Sequence, residues 1–273
     1  LRILIILLLP VSFNSCEKFS GDQTIPAYLS IDSIFLNTDY ATQGSASHRI
    51  TDAWVYVGNE FLGAYEMPAR FPVLRQGKQK IMVYPGIRKN GIAATRSGYD
   101  FYAPVEKEMV LTPDSTSRLG KVQTSYTNTT RFVWREDFED VALSLDTTSR
   151  STAWITLTAS SDSTFEGVHS ARVVLDGDHD FFEAQCREEY KIPNAPVWLE
   201  MNYNISNPLV VGVVLYATST LYQVPVITLN PTDGQWKKIY IDLSNSLYAF
   251  NGMLSYRVYM GTFKDPEIGR AHV

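Results

Sequence analysis

The sequence predicts an all-β protein: two β-sandwich domains, a small one followed by a jelly roll, behind a signal segment. Three observations predict it. Apolar–polar alternation over short segments recurs through the chain, with Gly, Pro, Asn or Asp between the segments. No stretch after the first sixteen residues carries the 3.6-residue period of a helix of ordinary length. Sixteen Tyr, 13 Phe and 5 Trp supply the bulky side chains that strands and sandwich cores accept well. A composition of 45% hydrophobic and 19% charged residues suits a folded globular chain, and 273 residues allow two domains of ordinary size.

Residues 1–16, LRILIILLLPVSFNSC, come first. Arg2 precedes an apolar run from Ile3 to Leu9, Pro10 breaks it, and small polar residues lead to Cys16. The run is too short to span a membrane, which takes about 20 apolar residues, and reads as the end of a secretory signal. The segment resembles that of a bacterial surface lipoprotein, in which the cysteine becomes the lipidated first residue. That resemblance implies lipidation at Cys16, a membrane partner and a place in the cell envelope as a surface-exposed outer-membrane lipoprotein. Residues 17–26, EKFSGDQTIP, read as a flexible tether.

Residues 27–112 form the expected small β-sandwich domain. AYLSIDSIFL alternates. Trp54 to Val57 make a short strand, Gly58-Asn59 supplies the turn, and Phe61-Leu62 start the return strand that Gly63 ends. Pro68 and Pro72 bracket a bend, and Gly77 turns the chain into Ile81 and Val83 before the Pro85-Gly86 turn. This order resembles the PEGA-type small β-domain of bacterial surface proteins over about 35 residues. It speaks to fold, not activity. Further strands are expected around Tyr99–Tyr102 and Glu108–Leu111. Residues 113–131, rich in Ser and Thr with no apolar period, read as a linker or as one irregular strand.

Residues 132–266 form the expected jelly roll. Phe132, Trp134 and Phe138 stand among charges as on an edge strand. APVWLEMNYNIS, LVVGVVLYA, YQVPVITL, DGQWKKIYIDLS and LSYRVYMGTF each read as a strand. The Asp137-Phe138-Glu139 opening, the turn from Glu166 to Ala171, and Asp233-Gly234-Gln235-Trp236 before Ile239–Leu243 resemble the galactose-binding-like jelly rolls that include many carbohydrate-binding modules. The resemblance implies carbohydrate binding, and Glu139 as the holder of a structural calcium. Glu267 to Val273, EIGRAHV, matches the translation of a common sequencing adapter, so the natural chain is expected to continue past Pro266.

Alternation places candidate ligand groups. In Val197–Ile205 the odd positions are apolar, which leaves Trp198, Glu200, Asn202 and Asn204 on the opposite face. Ile239, Ile241 and Leu243 turn Trp236, Lys238, Tyr240 and Asp242 the other way. Leu254, Tyr256, Val258 and Met260 look inward, leaving Arg257 and Tyr259 outside. Rings beside amides and carboxylates suit sugars, since a ring stacks on CH faces while polar groups bind hydroxyls. These residues other than Asn204 make the candidate glycan face, nine in all: Trp198, Glu200, Asn202, Trp236, Lys238, Tyr240, Asp242, Arg257 and Tyr259.

Other chemistry is missing from the sequence. There is no G-x-S-x-G elbow, phosphate loop or H-E-x-x-H. His48, His169 and His179 lack ligand spacing. Asp176–Asp180 alternates carboxylates, but Phe181 and Arg187 stand where a calcium loop needs Gly and Glu. Glu188 and Glu189 are adjacent and point apart on a strand. Apart from Cys16, Cys186 is the one thiol, expected buried. A net charge of −5 with no basic run argues against nucleic acid. The expected protein binds rather than catalyses. Three readings stand: glycan binding by the second domain, a structural or adhesive envelope protein binding protein partners, and accessory domains of a longer enzyme.

Overall fold

The even spacing of Ala27, Leu29 and Ile31 turns one side of the first strand inward, and all three are fully buried. The computed structural model describes residues 25–265; the expected signal, Cys16, most of the tether and the adapter-like end lie outside them. In the first unit, β1 (Ala27–Asn37), β2 (Asp52–Val57), β3 (Glu60–Glu66), β4 (Ala69–Val73), β5 (Gly77–Arg88), β6 (Arg96–Gly98), β7 (Val105–Leu111) and β8 (Thr116–Ser125) make two sheets. One has the order β4-β1-β8; the other runs β3-β2-β5-β6, with β7 also on β5. Their inner faces share one core, from Leu29 and Ile34 on one side to Val55 and Ile81 on the other.

Three expectations change here. Residues 113–131 are not simply a linker, because β8 pairs in parallel with β1 and belongs to the first sandwich. Val122 and Thr124 turn inward on alternate positions, which a Ser/Thr-rich composition conceals. Gly63 does not end β3; it sits inside the strand at φ 152, where the register with β2 slips between Val55 and Tyr56. Glycine absorbs such a bulge without steric cost. The Tyr99–Tyr102 segment is a turn with a single bridge, from Tyr102 to Tyr126, rather than a strand.

In the second unit, β9 (Leu145–Thr147), β10 (Thr156–Thr158), β11 (Ser170–Arg172), β12 (Phe181–Cys186), β13 (Tyr190–Lys191), β14 (Trp198–Tyr203), β15 (Leu209–Tyr216), β16 (Leu221–Leu229), β17 (Lys237–Asp242) and β18 (Ser255–Phe263) follow. Six form one sheet, β16-β15-β18-β12-β9, with β13 on β18. The opposing layer is two separate pairs, β14-β17 and β10-β11. Two one-turn helices, α1 (Tyr40–Gln43) and α2 (Ser244–Leu247), are the helical elements of the described residues. The sheet's inner face (Val211, Val213, Leu215, Tyr256, Val258) packs on Leu199, Met201, Ile239 and Ile241. Cys186 is buried in this core, where its sulfur accepts the Val258 N–H at 3.1 Å and burial pushes the thiol pKa up. Phe132 to Phe138 form no strand, and Leu254, expected inward, precedes β18 and is 61% exposed.

Candidate functional site

The face of β14 and β17 that alternation singled out lies against the first unit. In register, Glu200 stands opposite Tyr240, Asn202 opposite Lys238 and Trp198 opposite Asp242. Tyr240 is 2% exposed and forms part of the first unit's core, and Trp198 packs on that core. The Tyr240 hydroxyl accepts the Arg49 N–H at 2.9 Å and lies 3.1 Å from the Tyr102 hydroxyl. The Tyr99 and Tyr126 hydroxyls donate to Glu200 at 2.9 and 3.0 Å, and the Lys238 ammonium sits 2.8 Å from the same carboxylate. Ser47 donates to Asn202 Oδ1 at 2.7 Å. Asn90 N–H donates to the Tyr240 carbonyl, and its side chain accepts Asp242 N–H, both at 2.8 Å. Lys89 pairs with Asp242.

These contacts shape the acid–base chemistry of the interface. Burial, reinforced by the Glu200 charge, pushes the Tyr99, Tyr102, Tyr126 and Tyr240 hydroxyls well above the usual phenol range. Burial alone would raise Asp242, but hydrogen bonds from Lys89 and Ser244 outweigh it and hold the carboxyl below its usual value. Six of the nine glycan candidates (Trp198, Glu200, Asn202, Lys238, Tyr240 and Asp242) therefore join the two units instead of forming an open face. Trp236, a seventh, is half-buried beside Phe165, its ring centroid 5.3 Å away, with an indole N–H that has no partner.

A cleft of about 1380 Å³ runs from between the six-stranded sheet and its split opposing layer to the first unit, where Tyr40, Phe101 and Tyr126 line it. Its walls are core-like, with Leu199, Met201, Val258 and Met260, and Trp236 and Phe165 also line it. Several of its polar groups already have partners. Trp134 Nε1 donates to Ser144, Glu136 accepts the Ser144 hydroxyl and two N–H groups, and Asn204 binds Thr232 and Gly234.

The outer face of the six-stranded sheet is different. Arg257 and Tyr259 project from β18 on this side, since Tyr256 and Val258 fill the core. Register places Tyr259 between Gln185 on β12 and Gly212 on β15, and Arg257 beside Val214. Phe181 and Phe263, directly opposite each other, stack at 4.4 Å, and Phe263 is 70% exposed. Tyr216, opposite Ser255, lies under the Arg257 guanidinium, 5.7 Å from ring centroid to carbon. Aromatic rings thus stand along β18 near positions 263, 259 and 255, about 13 Å apart at the strand rise.

Hydrogen-bonding groups sit among these rings. Glu183 is 6% exposed yet carries two partners on each oxygen: Thr148 and Arg150 on Oε1, Arg150 and Gln223 on Oε2. Burial would raise its pKa, but those bonds hold it below the usual carboxylate value. Gly212 is required, because a Cβ there would lie 2.5 Å from the Tyr259 ring and 2.3 Å from the Val224 carbonyl oxygen. Sequence reasoning found Arg257 and Tyr259 but not Tyr216, Gln185, Glu183, Gln223, Arg150 or the Phe181–Phe263 stack. Alternation within FFEAQC and LVVGVVLY was a signal for Glu183, Gln185 and Tyr216; the pairing order that unites them was not in it.

The carboxylates weighed for metal have other partners here. Glu139 Oε1 accepts the Val168 and His169 N–H groups at 2.8 and 3.1 Å, tying down the turn that enters β11. These bonds lower its pKa. Asp176 accepts Asp178 N–H, His179 N–H and the His179 ring, closing its own turn. Among the described residues no group of three or more His, Cys, Asp or Glu is arranged to hold a metal ion.

No family model matches the chain, and no curated protein matches it. Solved structures do. One concerns carbohydrate-binding modules of the β-sandwich superfamily and their promiscuous specificity, with a TM-score of 0.33 and 12% identity over 78% of this chain and 79% of that one. Another is the N-terminal tandem CBM22 domain of Xyn10C from Paenibacillus barcinonensis, with a TM-score of 0.35 and 13% identity over 83% of this chain and 75% of that one.

Proposed function

We propose that the protein binds a glycan chain on the outer face of the second unit's six-stranded sheet, without catalysing a reaction. One observation carries the reading: on this face the stacked Phe181–Phe263 pair, with Phe263 exposed, and the half-buried Tyr216 ring of β15 flank Gln185, Gln223 and Arg257, while Tyr259, 5% exposed, fills the space between them. Rings that stack on sugar CH faces, next to groups that bind hydroxyls, are what an extended glycan needs. The sequence of residues 1–16 supports attachment through a lipid on Cys16, which would hold this face at the cell envelope. Gel retardation of the full chain against a panel of soluble polysaccharides tests the glycan reading. The exposed Phe263→Ala should fold normally and be retarded about tenfold less. Equal retardation of wild type and variant by every polysaccharide would overturn the reading.

A second reading, docking of a protein partner, has its own support. Tyr222 and Phe250 stack at 4.6 Å and 2° in the open, with Leu221 60% and Leu254 61% exposed nearby. Such apolar groups together mark protein contacts more often than sugar contacts. Phe250→Asp should abolish a protein contact and leave polysaccharide retardation unchanged.

A further inference from the structure

We propose that the glycan bound on this face is anionic and that Arg257 recognises its negative group. The inference rests on the glycan reading and adds the ligand's charge to it. Arg257 projects from the middle of β18, and its guanidinium makes no hydrogen bond or ion pair with any described residue. Its Nε is buried and without an acceptor. The Nε is closed off from a ligand, so the donors that remain open are the two terminal Nη groups, which are not buried and have no acceptor among the described residues. The Tyr216 ring lies beside the guanidinium and helps orient it.

Among the cations of this face, Lys191, opposite Ser255, is exposed and forms no ion pair with any described residue, and Arg257 is the one with a planar fork free near the middle of β18. Arg150 is held by Glu183, and Arg187 by Asp146. Glu183 has all four of its hydrogen bonds filled from Thr148, Arg150 and Gln223. Glu189, which faces Tyr216, accepts the Ser255 hydroxyl and forms no ion pair with Arg257. A guanidinium offers a planar fork of donors, which fits a uronate carboxylate in two parallel bonds and also accepts a sulfate ester. The chain itself carries a net charge of −5, so general attraction does not draw it to a polyanion. A local cation has to do so.

The test is affinity electrophoresis of the full chain through gels containing polygalacturonate, dextran sulfate or neutral xyloglucan. Three variants run alongside: Arg257→Gln, Arg257→Lys and Phe263→Ala, each checked for folding by its thermal midpoint. Wild type should be retarded by polygalacturonate or dextran sulfate, and which of the two decides between carboxylate and sulfate. Arg257→Gln should lose about tenfold or more of that retardation. Arg257→Lys, which keeps the charge but not the fork, should fall between. Retardation of a folded Arg257→Gln equal to wild type overturns the proposal, as does binding to xyloglucan alone; either leaves the glycan reading standing. Absence of retardation in all three gels, or indifference to Phe263→Ala, overturns the glycan reading and the proposal with it.

Discussion

The hydroxyl of Tyr240 on β17 lies 3.1 Å from the hydroxyl of Tyr102 in the first unit, and both side chains are closed off from solvent. The Arg49 N–H also reaches Tyr240. Tyr240→Phe keeps the ring and removes the atom on which these groups converge, so it should cost about 1–3 kcal/mol. Urea unfolding of Tyr240→Phe, Tyr102→Phe and the double variant measures the pair. A coupling energy near zero would show that the hydroxyls do not help to hold the units together.

Glu200 holds the interface at a second point, accepting two tyrosine hydroxyls beside the Lys238 ammonium. Glu200→Ala leaves Lys238 unpaired in a largely enclosed place and should cost about 3 kcal/mol. Calorimetry should show one transition in wild type and two in the variant, as each unit comes to melt by itself. A single unshifted transition in Glu200→Ala would contradict this.

His48 sits at the same junction, and burial, with Lys238 nearby, lowers its pKa below 6.5. The Ile50 N–H points at its Nδ1, 3.4 Å away, which suits a neutral ring. The unfolded chain therefore takes up the proton at higher pH than the folded one does. Stability is full above the unfolded value of about 6.5 and falls as pH drops through it toward the folded pKa. The melting temperature should decline from pH 7.5 to 5.5 in wild type, and less steeply in His48→Asn.

Asp242 and Glu183 act in a lower window. Both carboxyls are held below their usual values in the fold. Their contribution is present above the unfolded values, about 3.9 for Asp and 4.3 for Glu, and is lost as pH falls through the folded pKa values. Lys89→Met removes the partner of Asp242, so its melting temperature should lie below wild type at pH 7 and approach it at pH 3.

Gly212 lets the Tyr259 ring lie flat across β15. A methyl group there meets the ring and the Val224 carbonyl, and Gly212→Ala should cost about 1–3 kcal/mol. Polysaccharide retardation should fall as well, because Tyr259 must move. Wild-type retardation by the folded variant would exclude the ring from the ligand.

The inward faces of β14, β17 and β18 were legible because strand period is two and each has an apolar side: Leu199, Ile241 and Val258 are core residues as alternation requires. The opposite side carried less information. Trp198, Tyr240 and Asp242 have the composition of a sugar site and the location of a domain contact, since both need rings next to hydrogen-bonding groups. Alternation says that a residue faces away from its own core, not what it meets there. Likewise β8 was hidden in a Ser/Thr-rich stretch, because its partner β1 is far away in sequence and only pairing makes it a strand.

That pairing has a mechanical side. β1 is the middle strand of its sheet, bonded to β4 on one edge and to β8 on the other. Its register with β8 runs from Tyr28 to Asn37, nearly its whole length. A pull on the chain ahead of Ala27 acts along this strand, across hydrogen bonds that stand perpendicular to it on the antiparallel β4 side and slanted on the parallel β8 side. Bonds loaded sideways share the force and yield together, whereas a hairpin pulled from its end opens one bond at a time. If the chain hangs from Cys16, tension passes first into the part of the first unit best built to resist it.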